Sequence, residues 1–309
     1  MLAALPVLSR IFVALIILRV SPLAVFDTPI MSSQEKVKLP PGLIAAIEQD
    51  DLETVKRQYA ELPIAEQKNQ HTLYEAASLA TSSSHAEILS FFFSEGLVIG
   101  TQSAHDSIIE KACGVSSIPI FRVLIEEGHL DPSRNLELYG DPLTGAVFHG
   151  DVELAEFLLS KGADPNTDYP LGHYSSLVWS IVGDHNREAP DGGHRMMKSL
   201  LDGGAIVKET GALIAAADVG NTIAVQVLLE AKSKGLEVDL EDLTEYGEYD
   251  SRKDEGTALW CGARSGNLMA VNLLLEAGAS EEFRDRKGRT PIEIARANGH
   301  QDVVDSLAR

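Results

Sequence analysis

Along the second half of the chain the same apolar positions return at fixed distances from recurring glycines. Gly150, Gly192, Gly220, Gly266 and Gly299 each open a short segment whose position +5 is Ala155, Met197, Val225, Val271 or Val304. Position +8 is Leu158, Leu200, Leu228, Leu274 or Leu307. Apolar side chains at those offsets share one face of a helix. A second glycine twelve residues on (Gly162, Gly204 or Gly278) predicts the end of that helix, because the left-handed position after a last turn favours glycine. A companion helix is predicted ahead of each opening glycine. Thr290-Pro291 marks its start most clearly: the threonine can cap the first turn, and the proline lacks only an N–H the helix does not use. Thr257-Ala258-Leu259-Trp260 and Asp141-Pro142-Leu143-Thr144 occupy the same place.

Gly266 to Gly299 is 33 residues. That period, the threonine-proline start and the Gly162-Ala163-Asp164-Pro165-Asn166 ending resemble the ankyrin repeat. Weaker copies carry the period backwards: Gly96 to Gly128 is 32 residues and Gly128 to Gly162 is 34. His71 to Ala76 and Ser107 to Ala112 read as first helices, followed by second helices ending at Gly96 and Gly128. Residues 43–62 read as a polar N-terminal cap with Asp50-Asp51 at its inter-helix turn. The expected fold is therefore all-α, an ankyrin-repeat solenoid of about eight helix pairs over residues 43–309, preceded by a linker at 31–42. The period lengthens twice, which places inserts at 183–192 and 232–255.

The resemblance implies a binding surface built from first helices and inter-repeat loops. In its threonine-proline-leucine-histidine-x-alanine pattern the x position faces the concave groove. Here x is Glu75, Gly145, Trp179, Cys261 or Ile294, and Trp179 stands out, either as an aromatic anchor on the groove or as a side chain folded under the insert at 183–192. Trp260 takes the histidine position and is expected to pack between neighbouring units.

Charge sharpens the partner. The chain holds 26 Lys+Arg against 46 Asp+Glu, a formal net charge of −20. Residues 1–40 are net +2, so the remainder carries −22. A broad basic face for nucleic acid is thereby excluded. The insert at 232–255 holds nine acids and four bases, with Tyr246 and Tyr249 among them. Glu241, Asp242, Glu245 and Glu248 are its expected contacts with a basic partner surface.

Chemistry beyond binding finds few candidates. Cys113 and Cys261 are too few for a disulfide framework or a four-thiolate zinc site. His185 and His194, with Asp184 and Asp191, form a loose metal-like group whose spacing matches no zinc pattern. Cys113 has no catalytic signature around it, and no phosphate-binding, metalloprotease or nucleophile-elbow motif is present. The expected protein is not an enzyme: a monomeric adaptor, scaffold or regulatory subunit that binds another protein, with no cofactor, no metal, no nucleic acid and no small-molecule substrate; the His185/His194 loop leaves an accessory protein of a metabolic or biosynthetic pathway as a lower alternative.

Residues 1–30 read as a leader with no acid before Asp27 and an uninterrupted apolar run from Ile11 to Leu18. That run is short of the roughly 20 residues of a bilayer span. Three readings stand: a secretory signal, a mitochondrial presequence, or sequence upstream of a start at Met31. The last makes the protein cytoplasmic or nuclear; the alternative is a secreted or membrane-associated form of the same array, directed by residues 1–26.

Overall fold

The computed structural model describes residues 38–99, 107–134, 141–167, 175–183, 193–243 and 256–309. The chain divides into two units, Met1–Lys38 and Leu39–Arg309, of which the second is treated below. Every regular element among the described residues is a helix. In chain order they are α1 (Pro41–Glu48), α2 (Leu52–Ala60), α3 (Ile64–Gln67), α4 (Gln70–Ser82), α5 (Ala86–Ser94) and α6 (Ser107–Val115). Then follow α7 (Ile118–Glu126), α8 (Pro142–His149), α9 (Val152–Ser160), α10 (Ser176–Val182), α11 (His194–Asp202) and α12 (Ala212–Val219). The series ends with α13 (Thr222–Ser233), α14 (Ala258–Ser265), α15 (Leu268–Glu276), α16 (Pro291–Asn298) and α17 (Gln301–Leu307).

Caps and glycines set these boundaries. Asp141 starts α8 by accepting the Thr144 N–H at 2.7 Å, and the Glu293 carboxylate reaches back to the Thr290 N–H at 2.8 Å at the start of α16. Gly150, Gly220, Gly266 and Gly299 close the first helices with positive φ, and Gly96, Gly162, Gly204 and Gly278 do the same after second helices. Gly128 departs from the expected pattern. The left-handed residue after α7 is His129, at φ 53°. Gly128 serves a different need, because a Cβ there would lie 2.7 Å from the Leu124 carbonyl oxygen and from the Phe93 ring.

The apolar offsets bury as the helix face requires. Ala155, Met197, Val225, Val271 and Val304 are buried, as are Leu158, Leu200, Leu228, Leu274 and Leu307. First helices α1, α4, α6, α8, α10, α12, α14 and α16 pack neighbour to neighbour in one row, and second helices α2, α5, α7, α9, α11, α13, α15 and α17 pack in another. One continuous apolar core runs between the rows from Leu39 to Leu307. Each unit is thus stabilised by its neighbours, as a stack of short helix pairs demands.

Two sets of polar contacts tie successive units. In the turns between paired helices, Asn267 donates to the Ala217 and Asp218 carbonyls at 2.6 and 3.0 Å, and His300 to the Arg264 carbonyl at 3.1 Å. In the longer connections a side chain of one unit binds the turn of the next. Gln70 accepts the Val98 N–H at 2.9 Å and donates to the Gly96 carbonyl at 2.6 Å. Asn166 treats Ile206 and Gly204 in the same way, at 2.8 and 3.1 Å. Ser133 accepts the Asp164 N–H at 2.8 Å, and Glu241 the Ser280 N–H at 2.7 Å.

Candidate functional site

The first-helix row carries the strongest candidate, and the backbone explains its composition. Where α8 packs on α6, Gly145 faces Cys113, and a Cβ there would make an ordinary 3.5 Å contact with its sulfur. Phe148 and His149 stand three and four residues further along α8, on the face Gly145 shares. Phe148 is half-buried and His149 exposed. From the next first helix, α10, the half-buried Trp179 meets Phe148 with ring centroids 5.2 Å apart and planes at 77°. Phe148 and His149 lie 5.3 Å apart at 86°. A strip therefore runs from Cys113 over Gly145 to an aromatic corner of Phe148, His149 and Trp179. The sequence singles out Trp179 but not Phe148 or His149, which helical spacing from Gly145 places on the same face of α8.

The other expected contacts distribute as follows. Glu75 is half-buried on α4, two first helices before α8, so it shares the row with Trp179 without meeting it. Lys111 of α6 bonds to Ser78 of α4, and Glu110 is half-buried one turn from Cys113. Glu241 is exposed but holds the Ser280 N–H, so its carboxylate is engaged in joining two units. Asp242 is half-buried beside it. Glu245, Tyr246, Glu248 and Tyr249 lie outside the described residues, as do Asp184, His185, Asp191 and the leader at 1–30.

Two x positions are not on an open face. Cys261 and Ile294 are 4% and 3% exposed. The Cys261 thiol donates to the Gly256 carbonyl at 3.6 Å, and both Cys261 and Ile294 join the core. Trp260 is fully buried, with its indole N–H donating to the Arg289 carbonyl at 3.2 Å. Arg264 and Arg289 lie 5.5 and 5.9 Å from its ring. Gly256 is required beside it, since a Cβ there would come within 2.4 Å of the indole.

The Cys113 thiol is pushed up to about 12, by burial first and then by the negative charges of Asp141 and Glu110. It stays a protonated thiol at neutral pH, which is the wrong form for a nucleophile. His194 is exposed at the start of α11. Among the described residues no group of three His, Cys, Asp or Glu side chains is placed to hold a metal ion, and no helix is long and apolar enough to cross a membrane.

A row of first helices backed by a row of second helices, joined alternately by tight turns and longer connections, defines a helical-repeat solenoid. The ankyrin repeat family model matches residues 141–168, which span α8, α9 and the turn after them. The chain is similar to the ankyrin repeat and KH domain-containing protein mask-1 of Caenorhabditis elegans, with 27% identity over 173 residues. The matched stretch covers 54% of this chain and 6% of that protein's length. Residues 141–168 thus match an ankyrin repeat, and the helical stack around them is an all-α ankyrin-repeat solenoid. Repeats of this family generally mediate protein–protein interaction.

Proposed function

We propose that residues 43–309 form a non-catalytic binding array, acting as adaptor, scaffold or regulatory subunit, that engages another protein on its first-helix face. The observation that carries this reading is the Phe148–Trp179 pair. Two large, half-buried rings from adjacent first helices meet there, with the exposed His149 beside them. Aromatic side chains with few rotatable bonds are efficient anchors for a partner. The array is preformed, so little ordering cost attends association. The acidic insert at 232–255 is the second proposed contact, through Asp242, Glu245 and Glu248, while Glu241 is committed to Ser280.

A photo-cross-linking amino acid separates the two faces. It is placed at His149 on the first-helix row, or at Met269, which is 59% exposed on α15 of the second-helix row. The expected result is a discrete partner adduct from position 149 in cell extract, reduced by Trp179→Ala. Adducts from 269 alone would overturn the reading.

A further inference from the structure

We propose that the second-helix row carries a separate docking groove, along α5, for an amphipathic helix of another protein that sets a carboxylate against Arg122 and a cation against Glu87. It lies on the other row from Phe148 and Trp179, so it adds to the binding face proposed above and does not depend on it. The groove has a volume of about 640 Å³, and side-chain size explains its shape. Ala86, Ser90 and Ser94 recur every four residues on one face of α5 and form a low floor. Lys56 of α2 and Arg122 of α7 hold the place that Ser90 holds in α5, five residues after the N-cap of each helix, and these long side chains line the groove on either side. Phe91 and Val123 supply its apolar lining, and the Phe91 ring is set by an edge contact with Tyr59, centroids 5.5 Å apart at 88°.

Floor and walls are helices whose ladder groups bond within each helix, so the groove offers no strand edge to an extended peptide. A guest here must satisfy its own N–H and C=O groups, as a helix does. The lining runs from the first residue of α5 to its last, nine residues in all, which accommodates about two to three turns of a guest helix. Charge then selects among helices. Two charges of the groove are engaged already: Lys56 bonds Glu53 at 2.9 Å, and Glu127 accepts the Ser90 hydroxyl at 2.8 Å. Two others are open. Glu87 is exposed and makes no ion pair among the described residues. Arg122 is exposed 5.8 Å from the Phe157 ring and bonds no carboxylate among the described residues, while Glu126, one turn along α7, is held by Lys161 at 2.7 Å. A guest with an apolar stripe, an acid on one flank and a base on the other completes both pairs, and their opposite signs favour one direction along α5.

The probe is a display library of alanine-based peptides of about 16 residues, long enough to hold a helix, each with a leucine stripe at helical spacing and random flanking positions. The library is selected on the full chain. The expected winners carry a carboxylate on one flank of the stripe and a lysine or arginine on the other. Ser90→Trp fills the floor and is expected to weaken them by at least about ten-fold; on Arg122→Glu the same library is expected to exchange the acid for a base. Arg122→Glu alters an exposed side chain, so the test does not hang on Ser90→Trp folding. The proposal is overturned by a library with no winners, by winners without the charge preference or indifferent to both substitutions, by proline-rich extended winners, or by a dimer of the chain that Ser90→Trp dissolves. Any of these results leaves the cross-link from position 149 standing, and loss of that cross-link leaves the groove standing.

Discussion

Asn166 accepts the Ile206 N–H at 2.8 Å and donates to the Gly204 carbonyl at 3.1 Å, so one carboxamide holds both sides of the turn that begins the next unit. Gln70, 96 residues before Asn166, makes the matching pair of bonds to Val98 and Gly96. The contact is solvent-exposed, and its contribution is that of ordinary hydrogen bonds exchanged with water. Asn166→Ala is expected to lower stability by about 1–2 kcal/mol, and Asn166→Asp by a similar amount because the donor is lost. Urea denaturation of the two variants checks this. A variant indistinguishable from the parent would mean the turn holds itself.

Asp218 and Arg264 form a contact of a different kind. The Asp218 side chain is 1% exposed and that of Arg264 16%, with 2.7 Å between them, and the Ser265 hydroxyl donates to the same carboxylate oxygen at 2.6 Å. Removing one partner strands a buried charge. Asp218→Ala is expected to destabilise the array by about 3–5 kcal/mol, while the double change Asp218→Ala with Arg264→Met is expected to cost less than the single one. Chemical denaturation of all three proteins gives the coupling. Additive losses would show that the pair acts as two independent residues.

The recurring glycines divide by what lies above them. Gly278 has φ 90° and open space where a Cβ would stand. Gly278→Ala is therefore expected to cost only the backbone penalty of a left-handed residue, about 1–2 kcal/mol. Gly266 has φ 77°, and a Cβ would lie 2.5 Å from Nδ1 of His300, whose ring is held at the Arg264 carbonyl. Gly266→Ala pays the same backbone penalty and displaces that ring as well, so its melting temperature is expected to fall clearly below that of Gly278→Ala. Equal melting temperatures would contradict the close approach.

Much of this was legible from spacing. The +5 and +8 positions from Gly150, Gly220 and Gly266 are buried because helical period alone fixes which residues share a face. Asp141 and Thr290 sit at helix starts because their chemistry suits uncovered N–H groups. What failed to show was anything set by a contact between distant segments. Cys261 and Trp179 hold the same repeat position, yet one is buried with its thiol at the Gly256 carbonyl and the other meets Phe148. Glu241 read as a charge for a partner, because nothing local discloses that Ser280, a whole unit away, presents its N–H there. Gly128 read as a left-handed stop, whereas crowding by Phe93 and Leu124 requires glycine and the chain turns one residue later.

Asp141 and Cys113 couple the stability of the array to pH. Burial raises the Asp141 carboxyl above its ordinary value, although bonds from the Thr144 N–H and neighbouring groups oppose the shift. A raised folded value means the acid favours the fold most in its protonated form. That contribution is complete below the unfolded pKa, near 3.9, and is lost as pH rises through the folded value. Asn at this position keeps the cap to Thr144 and carries no charge to bury. Asp141→Asn is therefore expected to raise the denaturation midpoint at pH 7, with the gain shrinking as pH falls toward the carboxylate range. The same substitution removes one of the charges that raise the Cys113 thiol, while the larger effect of burial remains. Alkylation of Cys113 by iodoacetamide near pH 8 is expected to be far slower in the folded protein than in denaturant, and to stay slow in Asp141→Asn. Mass spectrometry of the Cys113 peptide over time measures it. A folded protein alkylated at the denatured rate would show that neither burial nor the carboxylate governs this thiol.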